Sequence, residues 1–134
     1  MKSILVALIA VVMLTMSGNS KAEQEVIAPG GFVHSVYFWL NNPENQEDRD
    51  AFLHHLTTFI DNSDYVKTKH IGVVAPSGRG VVDSSYDYTL VVTFEDKAAQ
   101  DAYQVEPVHI KFVEDAQHLW SKVVVYDSTS ILKD

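Results

Sequence analysis

The chain contains no cysteine. That excludes disulfides, cysteine-ligated zinc and thiol catalysis. An exported protein built this way must hold itself by packing, or by pairing with a second copy. Basic residues are scarce: ten Lys and Arg face eighteen Asp and Glu in 134 residues, and no three basic residues are consecutive. An acidic surface repels nucleic-acid phosphate and anionic lipid, so neither is expected as a partner. Metal patterns are missing as well. His54 and His55 are adjacent, so on a helix they diverge by about 100° and cannot share one ion. His70 and His118 belong to no spacing motif, and no His-x-x-x-His occurs. No metal and no cofactor is expected. Ser77-Gly78-Arg79-Gly80 is too short for a phosphate loop. It reads as a flexible connection, with Arg79 free to guard a cavity mouth.

Only one long apolar run is present, from Ile4 to Met16. Lys2 precedes it, and Ser20 and Ala22 follow at the −3 and −1 positions of a cleavage site. This pattern predicts a secretory signal peptide over residues 1–22, cut after Ala22. The run is shorter than the roughly 20 residues of a spanning helix; an uncleaved anchor is the alternative. Cleavage would remove Lys2 and Lys21, leaving eight basic against eighteen acidic residues, a net charge of −10. The mature protein is then periplasmic or secreted, with no membrane contact. Residues 23–31 read as a linker, broken by Pro29-Gly30-Gly31, and residues 32–130 as one domain.

Within that domain, Phe32 to Leu40 is rich in β-branched and aromatic residues and reads as a strand. Asn42 as cap and Pro43 at the first helical position predict a helix, with Phe52, Leu53, Leu56, Phe59 and Ile60 at helical spacing. Tyr65 to Val74 reads as a second strand, Ala75 to Ser85 as a loop and Tyr86 to Phe94 as a third strand. Glu95-Asp96 opens a short helix through Tyr103. Glu106-Pro107 starts another reaching about Trp120. Lys122 to Asp127 is the last strand. The order β-α-β-β-α-β predicts an α+β, ferredoxin-like domain with a four-stranded antiparallel sheet. Helices cover one face. The expectation is that His34, Val36, Phe38, Leu90, Val92, Val123 and Val125 share the other. A bare apolar face of that size requires cover, and a second copy around a two-fold axis supplies it. The result is a homodimeric α/β barrel with a mostly apolar interior.

Four segments carry a family resemblance: Val33-His34-Ser35-Val36-Tyr37-Phe38-Trp39-Leu40, Tyr86 through Phe94, Tyr103-Gln104-Val105-Glu106-Pro107-Val108-His109-Ile110-Lys111-Phe112, and Val123-Val124-Val125-Tyr126-Asp127. In order and spacing they resemble the stress-responsive A/B barrel (Dabb) family, from about Phe32 to Ser130. The family is similar to olivetolic acid cyclase, a plant polyketide cyclase. The resemblance implies the fold and the dimer. It also implies a catalytic histidine at the position of His109 and a substrate-orienting tyrosine at that of Tyr103.

His109 also stands out by itself. Pro107 puts it in a first helical turn, where partial positive charge keeps imidazole neutral and able to act as a base. Glu106 pulls the other way. Tyr103 would polarise a carbonyl, or simply pack in the core. His34 is a polar group on an apolar face and needs a partner, whether a ligand oxygen, Tyr88 or His109. At Tyr88 the plant cyclase has a histidine, and a phenol does not titrate near neutral pH. Phe52, Leu56, Leu90, Phe112, Trp120, Val123 and Val125 match apolar lining positions and equally read as core. The leading expectation is an exported homodimer holding a small apolar or aromatic molecule. The rivals are a cofactor-independent cyclase or isomerase using His109 and Tyr103, a haem-binding or haem-degrading relative with His34 or His109 as axial ligand, and a structural dimer with a filled interior.

Overall fold

The computed structural model describes residues 29–132. The expected signal peptide and residues 23–28 of the expected linker lie outside the described residues. Among those described, no helix is long and apolar enough to cross a membrane.

The elements run β1 (Phe32–Leu40), α1 (Gln46–Asp61), β2 (Thr68–Gly72), β3 (Tyr88–Phe94), α2 (Lys97–Gln104), α3 (Pro107–Ala116), a single 3-10 turn (Gln117–Leu119) and β4 (Trp120–Thr129). The four strands form one antiparallel sheet in the order β2-β3-β1-β4. This is the ferredoxin-like arrangement.

Helix α1 begins later than its sequence suggests. Asn45, not Asn42, is the N-cap, its side chain accepting from the Asp48 N–H at 3.0 Å. Asn42 and Pro43 instead open a turn closed by the Asn45 N–H donating to the Asn42 carbonyl at 2.9 Å. Asn at the first and Pro at the second position suit a β-turn as well as a cap. Strand β2 is also shorter than expected, because Tyr65 and Val66 precede the ladder and pairing with β3 ends at Gly72. Helix α3 gives way to the 3-10 turn before Trp120, which already belongs to β4.

Strand β1 alternates strictly. Phe32, His34, Val36, Phe38 and Leu40 are buried and the residues between them half-buried. The register sets Val36 opposite Leu90 and Val125, and Phe38 opposite Tyr88 and Val123. All of these face the helices. Phe38 meets Phe52 edge-on at 5.0 Å, Phe52 stacks on Tyr88 at 5.2 Å, and Phe59 stacks on Phe112 at 5.1 Å. Such pairs add about 0.5–1.5 kcal/mol each beyond the area they bury.

This corrects one expectation. The face of His34, Val36, Phe38, Leu90, Val92, Val123 and Val125 is not left for a second copy; the chain's own helices cover it. A period of two separates the faces of a strand, but where both are apolar it does not say which one the helices take. The outer face carries Val33, Ser35, Tyr37 and Trp39 from β1, with Thr89, Val91 and Thr93 from β3. Its threonines partly hydrogen-bond back into the fold: Thr93 Oγ1 accepts from the Gly30 N–H at 3.0 Å and lies 2.6 Å from Thr68 Oγ1. Gly30 is required there, because an added Cβ would lie 1.9 Å from the Phe94 carbonyl oxygen.

Phe52 is fully buried at the centre of the aromatic cluster. Phe52→Ala is expected to lower stability by about 3–5 kcal/mol. Urea titration would show this as a lower midpoint with unchanged slope.

Candidate functional site

The site begins at the corner between α2 and α3. Pro107 has no N–H and cannot extend α2, so it takes the first position of α3. Glu106 at the corner is buried, and its carboxylate is fully engaged. The Ser63 hydroxyl donates to one oxygen at 2.5 Å, and the Asp64 N–H donates to the other at 3.0 Å. The loop after α1 is thereby tied to the corner. Tyr103, in the last turn of α2, and His109, in the first turn of α3, are turned toward each other with ring centres 5.3 Å apart. Phe59 packs against both, at 5.2 and 5.1 Å.

The sheet contributes the third polar group. Cross-strand register sets Asp127 of β4 opposite His34 of β1, and Asp127 Oδ1 lies 2.5 Å from His34 Nδ1. A carboxylate at Nδ1 favours the proton on that nitrogen and leaves Nε2 for a ligand. The His34 ring stands 5.7 Å from that of Tyr103.

These groups close one end of a cavity of about 260 Å³ between β1, β3, β4 and helices α1, α2 and α3. Val36, Phe38, Leu90, Phe112, Trp120, Val123 and Val125 line the rest of it. The floor is buried, whereas the β4 rim is open, with Val123 37% and Val125 45% exposed. The interior is therefore not filled, and it belongs to one chain.

Three residues expected to line it do not. Phe52 and Leu56 are fully buried in the core between α1 and the sheet. Tyr88 is stacked on Phe52 with the Arg49 guanidinium 5.2 Å from its ring centre, so it does not meet His34. Helix α1 covers Tyr88 of β3 with Phe52 and Arg49. Arg79 lies in the exposed loop before β3, away from the cavity. The cavity also takes Phe59, Gln100, Gln104, Val113 and Asp127, which sequence reasoning did not single out. For Asp127 the missing signal was the pairing partner of β4, because the His34–Asp127 contact exists only through register.

Burial is the main influence on His109 and holds its pKa below the ordinary imidazole value. The Gln104 backbone carbonyl opposes this, His34 adds to it, and Glu106 opposes it. The ring is therefore neutral near pH 7, for a different main reason than the helix terminus. Burial also pushes the Tyr103 phenol well up, with Glu106 and Asp127 acting in the same direction. Tyr103 stays a neutral hydrogen-bond donor. Its hydroxyl makes no hydrogen bond to another described residue and is not sealed off from open space.

Among the described residues no cluster of His, Asp or Glu is arranged to hold a metal ion. A tetrapyrrole does not fit a cavity of about 260 Å³. The haem reading does not fit these residues.

The model of the stress-responsive A/B barrel domain matches residues 32–130. The chain belongs to the Dabb family. Solved structures share the Dabb fold. A Mesorhizobium loti MAFF303099 Dabb family protein with a ferredoxin-like fold is 21% identical, covering 75% of this chain and 96% of that one at a TM-score of 0.63. A hydroxynitrile lyase from Passiflora edulis is 14% identical, with 80% and 99% covered and a TM-score of 0.65. A protein from Thermobifida fusca YX, described as dimeric, ferredoxin-like and of unknown function, is 16% identical, with 80% and 97% covered and a TM-score of 0.62. No curated protein matches the chain.

Because the folded His109 pKa lies below its ordinary 6.5, the native ring binds fewer protons than the unfolded one. Its contribution to stability is complete above pH 6.5 and is lost as pH falls through 6.5 toward the lower native value. Urea midpoints measured from about pH 7.5 to about pH 5 are expected to fall more steeply for the wild type than for His109→Gln. Parallel curves would show that the ring titrates normally.

Proposed function

We propose that this Dabb protein is exported, pairs with a second copy through its outer sheet face, and holds a small, mostly apolar or aromatic molecule between sheet and helices. The observation that carries the reading is the open cavity with apolar walls and its polar groups gathered at one end. Its volume of about 260 Å³ lies just below the roughly 300–1,000 Å³ of drug-sized sites, which suits a ligand of one or two rings. Export rests on the signal-peptide pattern of residues 1–22. The dimer is supported by the outer face and by the relative described as dimeric. Tyr37, Tyr86 and Tyr126 cluster on this face, with ring centres 5.0 and 6.1 Å from that of Tyr37. Tyr126 is 66% exposed in the single chain. An aromatic patch of this kind is a natural interface core.

Native mass spectrometry of the protein purified from its own host tests all three parts. The expected species is two chains beginning at Glu23, carrying one small added mass per chain. Val125→Trp is expected to lose the added mass and remain two chains; Tyr126→Glu is expected to release single chains. A bare wild-type dimer would end the ligand reading, and a wild-type monomer the pairing.

A second reading, a cofactor-independent cyclase or isomerase, is favoured by the facing rings of Tyr103 and His109. Neutral His109 would take a proton from a carbon next to a carbonyl. The Tyr103 hydroxyl would donate to the oxygen on which charge develops. The fold shared with a hydroxynitrile lyase is compatible with such chemistry, although fold alone does not assign it. Turnover of a β-polyketo or lactone substrate should then fall at least about tenfold in His109→Ala, a floor below the roughly 10²–10⁴-fold that a general base typically supplies. Unchanged turnover would remove the enzyme reading.

A further inference from the structure

We infer that the cavity selects an uncharged molecule bearing a hydroxyl or carbonyl oxygen and turns away carboxylates, with Asp127 as the specificity-determining residue. The inference rests on the ligand-binding reading above and adds the charge of the ligand to it.

The first argument is where the positive charges are. No Lys or Arg lines the cavity. Among the described residues, Arg49 lies over Tyr88, Lys122 lies over Trp39 on the outer face, and Lys67, Lys69, Lys97 and Lys111 pair with surface carboxylates. A buried carboxylate ligand needs a cation or several aimed donors to replace its water. The one cationic candidate in the lining beside His109 is His34, and it already faces Asp127 at 2.5 Å. Even when protonated, that pair adds no net positive charge.

The second argument is the sign of the field. Asp127 stands at the rim, and Glu106 is buried behind Tyr103 and His109. Both resist formation of phenolate at Tyr103. A ligand carboxylate entering the same end meets the same opposition, in a site where charges are poorly screened.

The third argument is what the polar groups can recognise. The Tyr103 hydroxyl is a donor without a partner among the described residues. His109 is neutral, so one of its ring nitrogens offers a lone pair. One donor beside one acceptor matches a hydroxyl, and the donor alone matches a carbonyl. The aromatic walls of Phe38, Phe112 and Trp120 take the apolar body.

Three probes of one shape separate the possibilities: 2-naphthol, 2-naphthamide and 2-naphthoate, titrated by fluorescence into the intact protein near neutral pH. The two neutral probes are expected to bind at least about tenfold more tightly than the carboxylate. In Asp127→Asn the gap should shrink to about threefold or less. In Val125→Lys, which places a cation at the rim and leaves His34, Asp127, Tyr103 and His109 in place, the carboxylate should become the preferred probe. Equal wild-type binding of naphthamide and naphthoate would overturn the inference while leaving the ligand reading intact. So would a gap unchanged in both variants. Failure of all three probes to bind the wild type would instead overturn the ligand reading, and this inference with it.

Discussion

The corner at Val105–Pro107 is the constraint on which the site depends. Two short helices meet there because proline cannot continue the first. A buried carboxylate ties their corner to the loop after α1. Hydrogen bonds to a charged group are among the stronger ones a protein makes, about 1.5–3 kcal/mol each. Glu106 makes two, both to the loop that ends α1. Three helices are thus referred to one point. Tyr103 and His109 sit three residues to either side of it, so their mutual geometry follows from the corner rather than from any contact between them. Were the two helices one continuous rod, residues six apart would be turned about 600° from each other, leaving them on different sides of the axis.

Much of the fold was legible because its signals are local. Phe32–Leu40 reads as a strand from composition alone, and its observed ends coincide with that reading. Pro107 marked the start of α3 by chemistry that does not depend on the rest of the chain. The start of α1 is not legible locally because Asn42-Pro43 fits a turn and a cap equally well, and the Asn45 side chain decides between them. Tyr103 and His109 were visible through the family resemblance. Asp127 and the latch of Glu106 to Ser63 were not, because each is a contact across a long sequence separation with no periodic trace.

The assignment of sheet faces failed for a related reason. On β1 both faces are apolar enough to be buried. The decision lies in the partners: α1 brings Phe52, Leu56 and Phe59, and α3 brings Phe112 and Ala116. These apolar side chains pack against Phe38, Leu90 and Val92, which leave no polar atom unpaired. On the opposite face Ser35, Thr89 and Thr93 would have buried hydroxyls against apolar helices, at a cost unless each found a partner. Thr89 does find one, donating to the Val36 carbonyl at 3.1 Å, but within the sheet and not toward a helix.

Strand β4 connects the two faces. It is an edge strand whose only ladder partner is β1, so one row of its N–H and C=O groups is left unpaired by the sheet. Its inward residues Val123, Val125 and Asp127 form the cavity rim, while its outward residues Lys122, Val124 and Tyr126 belong to the aromatic outer face. Among the described residues, the β1 ladder, the His34–Asp127 contact, the Tyr37–Tyr126 ring contact and the Ser130 N–H bond to the Gly31 carbonyl hold the end of β4 that carries Asp127. A second copy seated on Tyr37 and Tyr126 would clamp the strand from behind and fix the carboxylate against His34. The proposed pairing and the proposed ligand selection then act through the same ten residues. Loosening the outer face would loosen the rim that discriminates, even though no side chain of the partner need enter the cavity.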